Sequence, residues 1–145
     1  MNSDIRRWTL GGGIALLTAA IAMFALMHYR GVQAEQSEAR RIGADWQQRG
    51  MLSQQDYVRL RGLGHAVVTT RRLSDADVNW LLATLAQSPS TVAHARILTI
   101  LSTLDHPSAP QKERIKQAIT PLLQSRDVLE QQSAERVQSK LALSR

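Results

Sequence analysis

Four histidines, twelve carboxylates and no cysteine are the side chains from which this chain of 145 residues could build chemistry. Without cysteine there is no thiolate nucleophile, no sulfur metal ligand and no disulfide. His28, His65, His94 and His106 never share a helical face at i, i+4, and no acidic cluster accompanies them, so no zinc motif emerges. The string Asp75-Ala76-Asp77-Val78-Asn79 imitates the start of a calcium loop, but Trp80 replaces its required glycine and Ala86 its bidentate glutamate. It reads as a helix start. Gly62-Leu63-Gly64 lacks a preceding strand and the third glycine of a dinucleotide loop, and neither a nucleophile elbow nor a phosphate-binding loop occurs. The expectation is a protein with no catalytic, cofactor-binding or metal-binding residues.

Charge is distributed with more purpose. Between Arg40 and Arg72 stand seven arginines (Arg40, Arg41, Arg49, Arg59, Arg61, Arg71 and Arg72) against two acids, Asp45 and Asp56. Residues 73 to 145 are nearly balanced, with eight basic and seven acidic side chains. The basic stretch reads as a solvated face or as a surface for anionic headgroups or an acidic partner, with Arg59, Arg61, Arg71 and Arg72 the candidate contacts. Nucleic acid is not expected, because the arginines carry no regular aromatic interleaving and no reading motif is present.

The elements that must carry these residues begin with an apolar run. No charge occurs from Trp8 to Met27, and the twenty-two positions from Trp8 to Tyr29 would span roughly 33 Å as a helix, close to the thickness of a bilayer core. Trp8 and Tyr29 at the two ends, with Arg30 beyond, match the interfacial positions such residues prefer. Gly11, Ala15 and Ala19 place small side chains on one stripe where a second membrane helix could approach. The sequence therefore predicts a signal-anchor over residues 1–30, retained as a single span in an inner or plasma membrane. The domain that follows is expected outside the cytoplasm, because a short basic tail before an apolar run is how export signals begin. A second reading stays open: cleavage after Ala34, which would release a periplasmic helical protein. Arg6-Arg7-Trp8 also resembles the twin-arginine export signal.

Residues 31–145 read as all-α. Aromatic residues make up only 4% of the chain, while Leu, Ala, Arg and Gln recur throughout. Ala39, Ile42 and Trp46 line one predicted helix ending near Gly50. Ser53 with Asp56 opens another, carrying Tyr57, Leu60, Leu63 and Val67. Ser74 with Asp77 starts a third with Val78, Leu81, Leu82 and Leu85. Ser88-Pro89 reads as N-cap and first residue of a fourth, with Ala93, Ile97, Ile100, Leu101 and Leu104 inside. Ser108 with Gln111 starts a fifth that Pro121 must kink or shorten, and Asp127 with Glu130 a sixth, carrying Leu129, Ala134, Val137 and Leu141.

Leu82 and Leu122, like Leu101 and Leu141, are forty residues apart, and Arg96-Ile97 recurs in type as Arg136-Val137. Residues 75–104 and 109–143 thus read as two helical hairpins. The stretch Leu81-Leu82-Ala83-Thr84-Leu85-Ala86-Gln87-Ser88-Pro89-Ser90-Thr91-Val92, with Ala95 and Leu98 following, resembles the first helix, turn and second helix of the HEAT-repeat family. Pro121-Leu122-Leu123 resembles its kinked first helix. A plain helical bundle satisfies the same periodicities. The resemblance implies stacked hairpins with an extended face for partners, so the function expected is that of a membrane-anchored interaction module, an accessory or scaffold subunit bound to another envelope protein. Trp46 and Trp80 are the candidate partner contacts. The alternative is a peripheral domain that binds anionic lipid or another acidic ligand.

Overall fold

The computed structural model describes the backbone of residues 3–143 and the side chains of residues 21–143. Every element among them is helical: α1 (Ser3–Gln48), α2 (Gln54–Thr70), α3 (Asp75–Gln87), α4 (Thr91–Ser102), α5 (Ala109–Ile119), a 3₁₀ turn (Thr120–Gln124) and α6 (Val128–Leu143). The all-α class expected from composition is the observed one. The chain divides into two units, Met1–Glu38 and Ala39–Arg145.

In the first unit the described part of α1 turns apolar side chains to solvent. Ile21, Met23, Phe24, Leu26 and Met27 are each more than half exposed, and steps of about 100° per residue distribute them around the helix rather than along one stripe. Tyr29 and Arg30 are exposed on the same helix, and the Tyr29 hydroxyl accepts a hydrogen bond of 2.8 Å from Gln33 Nε2. No helix among the described residues is long and apolar enough to cross a membrane. Trp8, Gly11, Ala15 and Ala19, and with them most of the uncharged run, lie outside the described side chains.

The second unit is built from helical hairpins whose starts are written in local cap chemistry. The side chains of Ser53, Ser74 and Ser108 each accept a hydrogen bond from the backbone N–H three residues on, and Ser108 with Gln111 completes a reciprocal capping box. Asp127 does the same for α6 through Glu130 N–H. The fourth start differs from expectation. Ser88 ends α3, its hydroxyl donates to the carbonyl of Met51 at 3.1 Å, and Ser90 caps α4 instead. Pro121 shortens α5 as anticipated: the chain tightens into the 3₁₀ turn, because the proline ring has no N–H to continue the ladder.

Helices α2, α4 and α6 lie side by side with α4 in the middle, while α3 and α5 form neighbours in a second layer and pair with α4 and α6 respectively. The C-terminal part of α1 closes on α2. Trp46 packs against Tyr57 with ring centroids 4.9 Å apart, and a Cβ at Gly43 would stand 3.1 Å from the Gln54 carbonyl oxygen. Between the layers Leu60, Val67, Val78, Leu81, Ile97, Leu98, Leu101, Ile115, Ile119, Ala134 and Val137 are essentially inaccessible. Leu63, Leu82 and Leu122 fall short of full burial and pack on the margin of this core. Leu129 leaves it altogether and is 52% exposed, because it sits in the first turn of α6 facing away from the α3–α5 layer.

Candidate interaction groove

Central α4 presents Val92, Ala95, Arg96, Thr99 and Thr103 on one face, at the i, i+3, i+4, i+7 spacing of a helix surface. The flanking helices do likewise: Arg61, Gly64, His65 and Val68 from α2, and Leu129, Gln132, Ser133 and Arg136 from α6. These three faces, with Trp46, enclose a groove of about 580 Å³. Its floor is low because Gly64, Ala95 and Ser133 are small. Its apolar lining is open to water, with Val68 65% exposed, Val92 45% and Leu129 52%.

The groove is cationic. Arg61, Arg96 and Arg136 line it, no aspartate or glutamate does, and none of the three arginines forms an ion pair among the described residues. Arg96 instead lies over the Tyr57 ring, 5.8 Å from its centroid. A guanidinium held near an aromatic face keeps its forked donors available for a carboxylate.

The residues singled out from sequence are dispersed. Arg61 and Trp46 reach the groove. Arg59 points elsewhere: it bonds Asp77 at 3.3 Å and lies 4.5 Å over the Trp80 ring. Trp80, half-buried under that guanidinium, lines a second cleft of about 620 Å³ with Met51, Leu52, Asp56 and Ser88. Arg71 ends α2 in the left-handed conformation (φ 56°), and its carbonyl accepts from Asp105 N–H at 2.9 Å. Arg72 is exposed beside it. Of the four arginines expected to form one anion-binding surface, Arg61 alone lines the groove, whereas Arg96 and Arg136, noticed in the sequence only as a recurring pair, complete it.

One polar constellation could not be read from spacing. His94, near the start of α4, places Nδ1 against the carboxylate of Glu130 in the first turn of α6, while its Nε2 lies 2.8 Å from the Ser88 carbonyl. Both ring nitrogens thus have a polar partner, one on each side of the imidazole. The side chains are only 13% and 9% exposed, and the pair clamps the α3–α4 turn to α6. A carboxylate at a helix N-terminus is further favoured by the helix dipole. Nothing about this pair reaches the groove lining, so its role is structural. Among the described residues no group of three or more His, Cys, Asp or Glu side chains could hold a metal ion. Compared with known proteins, the chain matches no family model, no curated protein and no solved structure significantly.

Proposed function

We propose that the chain is a membrane-anchored helical interaction module: a single-pass accessory or scaffold subunit, without catalysis of its own, that binds another envelope protein. The observation that carries the reading is the solvent-open groove of α2, α4 and α6, where exposed Val68, Val92 and Leu129 lie beside three arginines without carboxylate partners. Small-molecule sites enclose most of their ligand, whereas an open strip assembled from three helix faces suits a polypeptide laid along it. The stacked hairpins favour the same use, as does the resemblance to HEAT repeats, whose helical faces offer extended surfaces to partners.

The anchor is part of the proposal. An uncharged run of bilayer length in the sequence, and exposed apolar side chains on every side of the described part of α1, support a span near residues 8–29 with Tyr29 and Arg30 at an interface. The domain then stands outside the cytoplasm. A lipid-binding role for the basic half has less behind it, since Arg59 is engaged by Asp77 and Trp80.

The test is to wash native membranes with alkaline carbonate and then extract the chain in mild detergent. Retention through the wash, and a reproducible protein companion lost on Leu129→Asp, are the expected results. A chain released by carbonate, or one extracted alone, contradicts the reading.

A further inference from the structure

The chemistry of the groove defines its occupant more narrowly than "a protein". Along α4 its lining runs from Val92 to Thr103, about 17 Å at the helical rise, or some three turns. The floor at Ala95, Gly64 and Ser133 is low enough for another helix to approach closely, as small residues permit wherever helices pack tightly. On the lining, apolar and cationic groups alternate by helix: Val68 with Arg61 on α2, Val92 with Arg96 on α4, Leu129 with Arg136 on α6. A ligand that buried the apolar residues would carry the guanidinium groups out of water, and they need carboxylates to compensate.

We infer that the groove receives an acidic amphipathic helix of a partner protein, about three turns long, with an apolar stripe on Val68, Val92 and Leu129 and flanking carboxylates on Arg61, Arg96 and Arg136. This rests on the reading of the chain as an interaction module and adds the chemistry of the partner. Charge complementarity selects the occupant: a lining with three cations and no acid repels a basic helix and leaves a neutral one unable to satisfy the arginines. Planar guanidinium forks suit bidentate carboxylate contacts, which fix register as well as sign. A membrane surface fits less well, because the arginines rim a recess between helices rather than a convex face.

Binding of labelled peptides to the full chain in phosphatidylcholine nanodiscs tests this by fluorescence anisotropy. The probes are a designed eighteen-residue helix with glutamates beside a leucine stripe, the same helix with lysine for glutamate, and a shuffled acidic peptide of equal composition without the stripe (lengths of roughly five turns, about 27 Å, so as to overhang the groove). The acidic amphipathic peptide should bind and weaken as salt rises; the other two should not bind measurably. Arg96→Glu combined with Arg136→Glu should reduce its affinity at least about tenfold, the order expected of buried charge pairs. Val68→Asp, an exposed position that leaves the charge count of the arginines untouched, should do the same with the helical circular dichroism retained. Equal binding of the shuffled or lysine peptide overturns the proposal, as does indifference to both sets of substitutions. So does capture by phosphatidylglycerol-containing vesicles with no acidic-peptide binding. A native companion lost on Leu129→Asp, with no acidic-peptide binding, would overturn the acidic helix and leave the module reading standing. Acidic-peptide binding by a chain that leaves the membrane without a companion would do the reverse.

Discussion

Replacing His94 by alanine leaves the Glu130 carboxylate at the start of α6 with its imidazole partner gone. The side chains of the pair are 13% and 9% exposed, so water screens little of the loss. Removing one member of such a pair costs about 3 to 5 kcal/mol, because an uncompensated charge stays buried. A domain of this size is typically stable by about 5 to 15 kcal/mol. The single change therefore removes a large share, and the melting temperature should fall by well over about 10 °C. Glu130→Met should cost less, about 1 to 3 kcal/mol, since it strands only one neutral ring nitrogen, Nδ1. In the double variant His94→Leu with Glu130→Met, the one bond lost without replacement is that to the Ser88 carbonyl, worth about 1 kcal/mol. The double variant should thus be more stable than His94→Ala alone. Urea unfolding of the full chain in mild detergent, followed through the fluorescence of Trp46 and Trp80, provides the measurement. A loss below about 1 kcal/mol in His94→Ala, or a double variant no better than that single one, would refute the clamp.

Other outcomes follow from local geometry. Gly62, with open space where a Cβ would stand, should gain about 1 kcal/mol on substitution by alanine within α2. Gly43→Ala should lose about 1 to 3 kcal/mol, because its methyl meets the Gln54 backbone at 3.1 Å and the Tyr57 ring at 3.2 Å; thermal melts separate the two. Ile97→Ala should cost about 2 to 5 kcal/mol, and Leu82→Ala or Leu122→Ala distinctly less, since Ile97 is inaccessible and the leucines sit at the core margin. The hydrogen bond from Lys140 Nζ, 2.6 Å from Asp105 Oδ1, is the main cause holding that carboxyl below its ordinary value of 3.8. A carboxyl lowered in the folded state contributes stability above its unfolded pKa and loses it as pH falls through the folded one. Stability profiles of wild type and Lys140→Met should therefore converge in strong acid and separate slightly at neutral pH.

What the sequence could disclose was what neighbours in sequence decide. Ser53, Ser74, Ser108 and Asp127 start helices through contacts three residues away, and the proline that shortens α5 acts on its own turn. Ser88 misled because its hydroxyl is claimed by Met51, thirty-seven positions earlier, leaving Ser90 to cap α4. The groove was hidden for the same reason. Arg61, Arg96 and Arg136 stand on three helices separated by whole hairpins, and only the recurrence of Arg96-Ile97 as Arg136-Val137 hinted that two of them share a face. Leu129 fitted an apolar stripe in sequence, yet burial depends on which helix lies opposite, and at the start of α6 none does.

On the proposed reading the α2–α4–α6 groove, and not the opposite layer or the Trp80 cleft, meets a protein partner. A photo-activatable amino acid placed at Leu129, in the full chain in native membranes, tests this against the same group at exposed Asn79 on α3 and at Ala83 in the Trp80 cleft. A discrete cross-linked protein product is expected from position 129, abolished by Arg96→Glu with Arg136→Glu, and none from 79 or 83. A product of equal yield from position 79 or 83, or only lipid adducts at 129, would contradict it.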